Sequence, residues 1–416
     1  MKVVILGAGL LGVTTAYQLA SRGHSVEVLE RQPKSGAETS FANGGQLSYS
    51  HAEPWANPSV LPKLPSWLTR SDAPLVFRLR ADWQMMKWGV SFLRNCTSHR
   101  AAINAASLLR LGLYSRQKMQ ELCRETGVAF DYARKGILHI YTKQEDFDHA
   151  LVQAEFQAKL GCEQKTLTAH ECLAMEPALT HTARTIVGGI HAHLDESGDA
   201  CLFTRALAAV ATERHGVAFH YNTNIEYLDT QGGQVSGVVS DRGTHKGDIY
   251  VMAMGSYSPL FLRGIGIHIP IYPMKGYSIT VPANGKCPAL SITDGSCKLV
   301  YSRLGNRLRI AGTAEFAGHN TSINPRRIAP IVRAARELFP GAPWDAPMEE
   351  WACLRPSTPD GPPVMGRCRY DNLFLNTGHG TLGWTQAAGS AALLADIIEQ
   401  KTPGIMLAGL TIDRYL

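Results

Sequence analysis

The chain has no run of apolar residues approaching the roughly 20 needed to span a bilayer, so any membrane contact is expected to be peripheral. It has no CxxC pair and no cysteine–histidine spacing of a zinc site. Its 9 cysteines stand singly and read as reduced, mostly buried thiols of an intracellular protein, with no metal expected. Val3 to Leu6 follow Lys2 in the manner of a signal peptide, but the run breaks at Gly7 without a small-residue cleavage site, so this end is expected to be structural. Charge of one sign is also scarce. The formal net charge of +6 is spread over 416 residues with acids between the bases, which argues against a nucleic-acid partner. What is present, 45% hydrophobic and 18% charged residues, is the composition of a globular enzyme long enough for two intertwined domains.

Val3-Val4-Ile5-Leu6 reads as a buried parallel strand that runs into Gly7-Ala8-Gly9-Leu10-Leu11-Gly12 and then a helix over Val13 to Arg22. A second strand, Val26 to Leu29, ends in Glu30, 18 residues past Gly12. Strand, glycine turn, helix and acid in this order form a dinucleotide-binding unit. Gly7 permits the tight turn, Gly9 lets the backbone approach a pyrophosphate, Gly12 allows helix–sheet packing, and Glu30 accepts hydrogen bonds from a ribose. The Glu30 carboxylate weighs against a 2′-phosphate, and Arg31 is the neighbour that would favour one. FAD or NAD remains.

Two further segments favour FAD. Glu38 to Ser48 is a polar, glycine-bearing loop suited to wrapping a flavin, and its Ser40, Asn43, Gly44, Gly45 and Gln46 are the candidate contacts. Near the other end, Asn376 to Thr385 leads into a helix over Gln386 to Glu399, so the amides around Gly380, Thr381, Leu382, Gly383, Trp384 and Thr385 add a second positive helix end facing an anionic ring. An NAD enzyme has no need of that second loop.

With these motifs in place, the sequence resembles the D-amino acid dehydrogenase family over nearly its whole length; these are bacterial flavoproteins related to glycine oxidase and D-amino acid oxidase. The opening GAGLLG, ETSFANGGQLS, PWANP, the segments Tyr250–Ser258, Tyr272–Ser278 and Leu354–Gly361, and the closing TGHGTLGWT carry the resemblance in matching order. It implies non-covalently bound FAD and an α/β fold. A Rossmann-type, glutathione-reductase-like FAD-binding domain would be assembled from residues 1–52, 185–265 and 351–416. An α+β substrate domain on a mixed, largely antiparallel sheet would come from 53–184 and 266–350. Gly255 would then belong to the flavin domain, and Ile225 resembles the position that touches the adenine, with plain core packing as its other reading. Gly216 to Thr223 reads as a strand returning to the sheet after a helix over Leu202 to Arg214.

Hydride transfer to a flavin needs no nucleophile and no metal. It needs the substrate Cα–H aimed at N5 and the carboxylate clamped, for which one buried arginine is the natural group. Arg355, between Leu354 and Pro356, resembles the arginine that grips the carboxylate in glycine oxidase; its other reading is an ion pair with Asp360. Tyr277 is a candidate donor to the same carboxylate, with Lys275 expected on the opposite face of that strand so that only one of the two faces the pocket. His379 is placed to hydrogen-bond the flavin or bias its charge, and Tyr49 and His51 to line the entrance.

Between Pro54 and Arg100, Trp55, Trp67, Trp83 and Trp88 alternate with Lys63, Arg70, Arg78, Arg80, Lys87, Arg94 and Arg100 against Asp72 and Asp82. Such a segment suits an anionic leaflet, or else a core-facing helix with a basic outer side. The resemblance implies electron transfer to a membrane quinone or respiratory chain and attachment to the inner face of the cell membrane. The motifs leave open a cyclic or secondary amino acid as substrate (D-proline, hydroxyproline or sarcosine), and a non-catalytic flavin-binding subunit of a larger complex. The chain ends at Leu416 without the polar tail of some relatives.

Overall fold

The computed structural model describes residues 1–64, 75–78 and 81–416. The N-terminal apolar run forms β1 (Lys2–Leu6), between β2 (Ser25–Leu29) and β13 (Ile249–Met252), all parallel. β9 (Ala218–His220) extends the sheet beside β2 and β20 (Leu373–Thr377) beside β13. β19 (Val364–Arg367) closes that edge antiparallel. A strand covered on both faces must be apolar on both, as β1 is. Val3 and Ile5 pack under the helices Leu10–Ala20, Ala200–His215 and Gly383–Ile398. Val4 and Leu6 face the opposite side, against the meander β10 (Ile225–Gln231), β11 (Gln234–Ser240) and β12 (Gly243–His245).

Both helices that follow glycine turns begin three residues before their expected starts, at Leu10 and Gly383. The last glycine of each turn, Gly12 and Gly383, thus lies inside the first helical turn, and at Gly12 the missing Cβ permits close contact. A Cβ on Gly12 would stand 1.8 Å from the Gly7 carbonyl oxygen. Arg22 binds Asp396 at 2.7 Å and Glu399 at 2.9 Å, pinning the C-terminal ends of these two helices together. They therefore run side by side in one direction, and both N termini open on the same space.

The second sheet runs β18 (Glu349–Ser357), β14 (Tyr272–Pro282), β17 (Arg307–Phe316), β16 (Leu299–Leu304), β15 (Ser291–Asp294), β5 (Ile137–Tyr141), β7 (Gly188–Ala192), β6 (Lys165–Thr168), with β4 (Leu75–Phe77) also beside β17. Only β15–β5 and β17–β4 pair in parallel among the described strands, so the sheet is mixed and largely antiparallel, as expected. β7 lies past residue 185 and β18 begins at Glu349, so strands expected in the nucleotide-binding part pair here instead and the chain crosses between sheets after them. A short pair, β3 (Gln46–Leu47) and β8 (Glu196–Ser197), bridges the two parts.

The tryptophan-rich segment divides. Trp88 is core: its indole donates to the Ser357 carbonyl at 2.8 Å and its ring packs on Phe92 and Phe316. Arg78 is tied to Glu315. On the other side of the helix Trp83–Asn95, the side chains of Trp83, Met86, Val90 and Leu93 form an exposed stripe, with Lys87 over the Trp83 ring. Trp55 is partly exposed. Trp67, Arg70, Asp72 and Arg80 lie outside the described residues. Among those described, no helix is long and apolar enough to cross a membrane.

Candidate functional site

A cavity of about 1070 Å³ opens between the two helix N termini, the end of β2 and the inner face of β14, β17 and β18. It is at the upper end of the ~300–1,000 Å³ of ordinary ligand pockets, with room for a dinucleotide and a small substrate. Every cofactor candidate borders it except Gly12, which performs the packing role expected of it.

At the nucleotide end Gly7 turns at φ +101°, a conformation open to glycine. The site of a Cβ on Gly9 meets no atom within 4 Å, so the bare backbone faces open cavity. The Leu10 N–H donates to Ser40 Oγ at 3.2 Å. Glu30 accepts from Ala8 N–H (2.7 Å) and Gln32 N–H (2.8 Å), while burial raises its pKa. Arg31 is not free for a 2′-phosphate. It pairs with Glu38 at 2.6 Å, and its guanidinium lies 4.0 Å from the Tyr257 ring centre. A glycine cradle facing open cavity, a helix N terminus and a carboxylate at the second strand together fit the adenosine diphosphate half of FAD.

The loop expected to wrap the flavin is held by its own residues. Asn43 Oδ1 accepts from Gly45 N–H at 3.0 Å, and Thr39 Oγ1 donates to the Leu354 carbonyl at 2.9 Å, joining the loop to β18. The Gln46 amide is spent on Ser291 and Thr293, the Trp384 indole donates to the Gly198 carbonyl, and Thr385 Oγ1 accepts from Ser48 N–H. These three side chains border the cavity but act as anchors. Gly380 and Gly383 carry the last helix up to it, and Ile225 and Gly255 border its other wall.

At the opposite end Arg355 projects from β18 across β14. A Cβ on Gly276 would lie 2.4 Å from the guanidinium carbon, so this glycine is the floor on which the group rests. Its described contact is a 3.4 Å hydrogen bond to the Thr313 carbonyl, and no carboxylate pairs with it among the described residues. Asp360 is taken by Arg414 at 2.7 Å and by Tyr415, which removes the ion-pair reading. Burial pulls the Arg355 pKa down to about 10. A desolvated guanidinium that borders a cavity and has no carboxylate partner among the described residues is a strong receptor for a carboxylate. Thr313 itself sits at φ +49°, which a β-branched residue rarely adopts, and its hydroxyl is buried without a hydrogen-bond partner among the described residues.

Lys275 and Tyr277 do not lie on opposite faces. Two residues apart on a strand they share one, and both reach Glu315: the Tyr277 hydroxyl donates at 2.5 Å and Lys275 Nζ lies at 3.6 Å. Tyr277 borders the cavity and Lys275 does not. Burial raises the Tyr277 pKa, with Glu315 adding to it. Burial alone would raise Glu315, but hydrogen bonds from Arg78 and Tyr277 and the charge of Lys275 hold it below the usual carboxylate value.

His379 is buried, with Nε2 2.9 Å from Ser390 Oγ and Nδ1 unpartnered among the described residues. Burial lowers its pKa to about 3, so it is a neutral ring and supplies no charge. Tyr49 is not at the entrance; it is core, its hydroxyl donating to Glu196 at 3.2 Å. His51 does border the cavity, joined by His139 and Lys298, which sequence reasoning missed together with Glu315 and Thr313. No local motif marks these residues, because the pairing of β5, β15, β16 and β17, with the turn that carries Lys298, brings them here.

The protein-family description FAD dependent oxidoreductase matches residues 2–397. A D-amino acid dehydrogenase of Dechloromonas aromatica is 48% identical over 97% of this chain and 98% of its own length. That of Paramagnetospirillum magneticum is 49% identical over 100% and 99%. Among solved structures, glycine oxidase from Geobacillus kaustophilus shares the fold with TM-score 0.78 at 23% identity, covering 100% of this chain and 98% of its own.

Proposed function

We propose, from the premise that this chain belongs to the D-amino acid dehydrogenase family of FAD-dependent oxidoreductases, that it oxidises D-amino acids to 2-oxo acids and ammonia. FAD-dependent oxidation of an amino acid is the activity of the family; the handedness, the hydride mechanism and the acceptor are our reading. The observation that carries it is Arg355, a desolvated guanidinium without a carboxylate partner among the described residues at the end of a cavity whose other end is a dinucleotide cradle.

When bound, FAD would supply the acceptor for a hydride from Cα of the neutral amine, and the protonated imine so formed would be hydrolysed by water to the 2-oxo acid and ammonium. Arg355 holds the substrate carboxylate bidentately and fixes the direction in which Cα points. Tyr277, oriented by Glu315, forms the wall beside it. Neutral His379 offers Nδ1 without adding charge, and the first and last helices present their N termini to the diphosphate and the ring. We assign the six-stranded sheet with its helices and meander to FAD and the large sheet to the substrate.

The electrons pass to a membrane quinone or respiratory acceptor, and the exposed stripe Trp83, Met86, Val90 and Leu93 with Lys87 and Arg94 rests on the inner face of the cell membrane. Trp88 ties that helix to the end of the Arg355 strand. The experiment is anaerobic flavin reduction by a panel of D- and L-amino acids and cyclic imino acids, followed spectrally. Bleaching by D-amino acids supports the reading; bleaching only by L or cyclic substrates replaces it.

A further inference from the structure

Away from the cavity, three side chains from distant parts of the chain converge where the β10–β12 meander meets the edge of the nucleotide-binding sheet. Val26 and Val28 face the helices, so strand alternation turns Glu27 of β2 toward the meander. His220 ends β9 and His245 ends β12. His220 Nε2 is 3.5 Å from Glu27 Oε2 and His245 Nδ1 is 4.0 Å from Glu27 Oε1. One donor atom from each residue lies within 4.8 Å of the others.

Glu27 Oε1 is buried and accepts no hydrogen bond among the described residues. Lys2 Nζ approaches it to 3.3 Å from a half-exposed side chain. Bonds of about 2.0–2.2 Å in a tetrahedral site place donors about 3.4 Å apart, so the cluster needs only small side-chain movements to close on an ion. His245 Nε2 lies 3.2 Å from Ser240 Oγ. A proton donated there leaves the Nδ1 lone pair turned toward Glu27, the outer contact that orients metal-binding imidazoles. Two imidazoles and one carboxylate are the donor set of a borderline d-block cation rather than of calcium or magnesium.

We propose that Glu27, His220 and His245 bind a divalent cation of the zinc type, which fastens the meander to the edge of the nucleotide-binding sheet. Partly exposed His220 leaves a fourth position for water. Neither the histidine nor the cysteine spacing of the chain forecasts this site, because the three ligands meet only through the pairing of β2 with β9 and the packing of the meander.

The test uses tag-free holoenzyme, stripped with a chelator and titrated with Zn²⁺ and with Co²⁺. One ion per chain is expected, together with a rise of several degrees in the thermal midpoint. Co²⁺ should give visible bands to the red of the flavin, without a thiolate charge-transfer band. His245→Ala and Glu27→Gln should weaken binding by about tenfold or more while flavin content stays normal. Lys2→Ala, which removes a competing cation from a half-exposed position, should tighten it. An absence of stoichiometric binding overturns the proposal. So does wild-type affinity in both His245→Ala and Lys2→Ala, which would place the ion elsewhere. Were His245→Ala to misfold, Lys2→Ala would decide alone.

Discussion

At the nucleotide end of the cavity the glycine cradle lies between Lys2 and Glu30: a strand, three glycines, a helix and a carboxylate in unbroken order. At the substrate end, Arg355 on β18 rests on Gly276 of β14 and touches Thr313 of β17, while Tyr277 of β14 is held by Glu315 of β17. The first end is built by chain order and backbone contact, the second by strand register and charge. Damage to the first should therefore remove the cofactor and often the fold. Damage to the second should leave a yellow protein that handles its substrate badly.

The sharpest way to break that contrast is at Gly12. A Cβ there meets the Gly7 carbonyl oxygen at 1.8 Å, side chain against fixed backbone. Gly12→Val should cost more than about 4 kcal/mol and yield little folded flavoprotein, measured as soluble yield and flavin-to-protein ratio. A stable yellow Gly12→Val would mean that this end tolerates what its geometry forbids.

Glu315→Gln is the counterpart in the large sheet. It leaves buried Lys275 without its counter-charge and Tyr277 without an ionised acceptor. A loss of about 3 kcal/mol is expected from breaking one side of a buried pair. Flavin content should be retained; a colourless variant would erase the distinction between the two ends.

A smaller effect lies between them, where Asp195 accepts from Ser50 N–H at 2.8 Å and Ser50 Oγ at 2.7 Å and so holds the turn that precedes His51. Burial pushes its carboxyl up to about 7, against the hydrogen bonds that favour the charge. The folded value exceeds the unfolded one, so this group's stabilisation is present in acid and fades as pH rises toward about 7, by at most about 1.4 kcal/mol per pH unit. Asp195→Asn should flatten the thermal midpoint against pH across that window. An unchanged slope would show that Asp195 does not set it.

The same contrast explains what could be read from the chain. The positions of the glycine turn, Glu30 and the closing glycine loop at the cavity were legible because each sits in a short motif whose order fixes its geometry. Arg355 was legible through its resemblance to a known motif. Its freedom from Asp360 was not, because Arg414 comes from the far end of the chain. The expectation that Lys275 lies opposite Tyr277 fails because residues two apart on a strand share a face. Tyr49 and Trp384 sit in segments that border the cavity, yet core packing claims both side chains. The segment around Trp88 mixed two readings that only burial could separate: Trp88 is core and Trp83 is surface.

One paired measurement tests the division of the cavity into two separately built ends most directly: Gly9→Asp beside Arg355→Leu. Gly9 faces open space, so a carboxylate there should fold normally and repel the diphosphate, giving a colourless protein with a native thermal transition. Arg355→Leu should keep one flavin per chain while the half-saturating D-amino acid concentration for anaerobic flavin reduction rises about 100-fold, the loss of a charge-assisted carboxylate contact. A flavin-loaded Gly9→Asp, or an Arg355→Leu variant that is reduced at wild-type substrate concentrations, would contradict it.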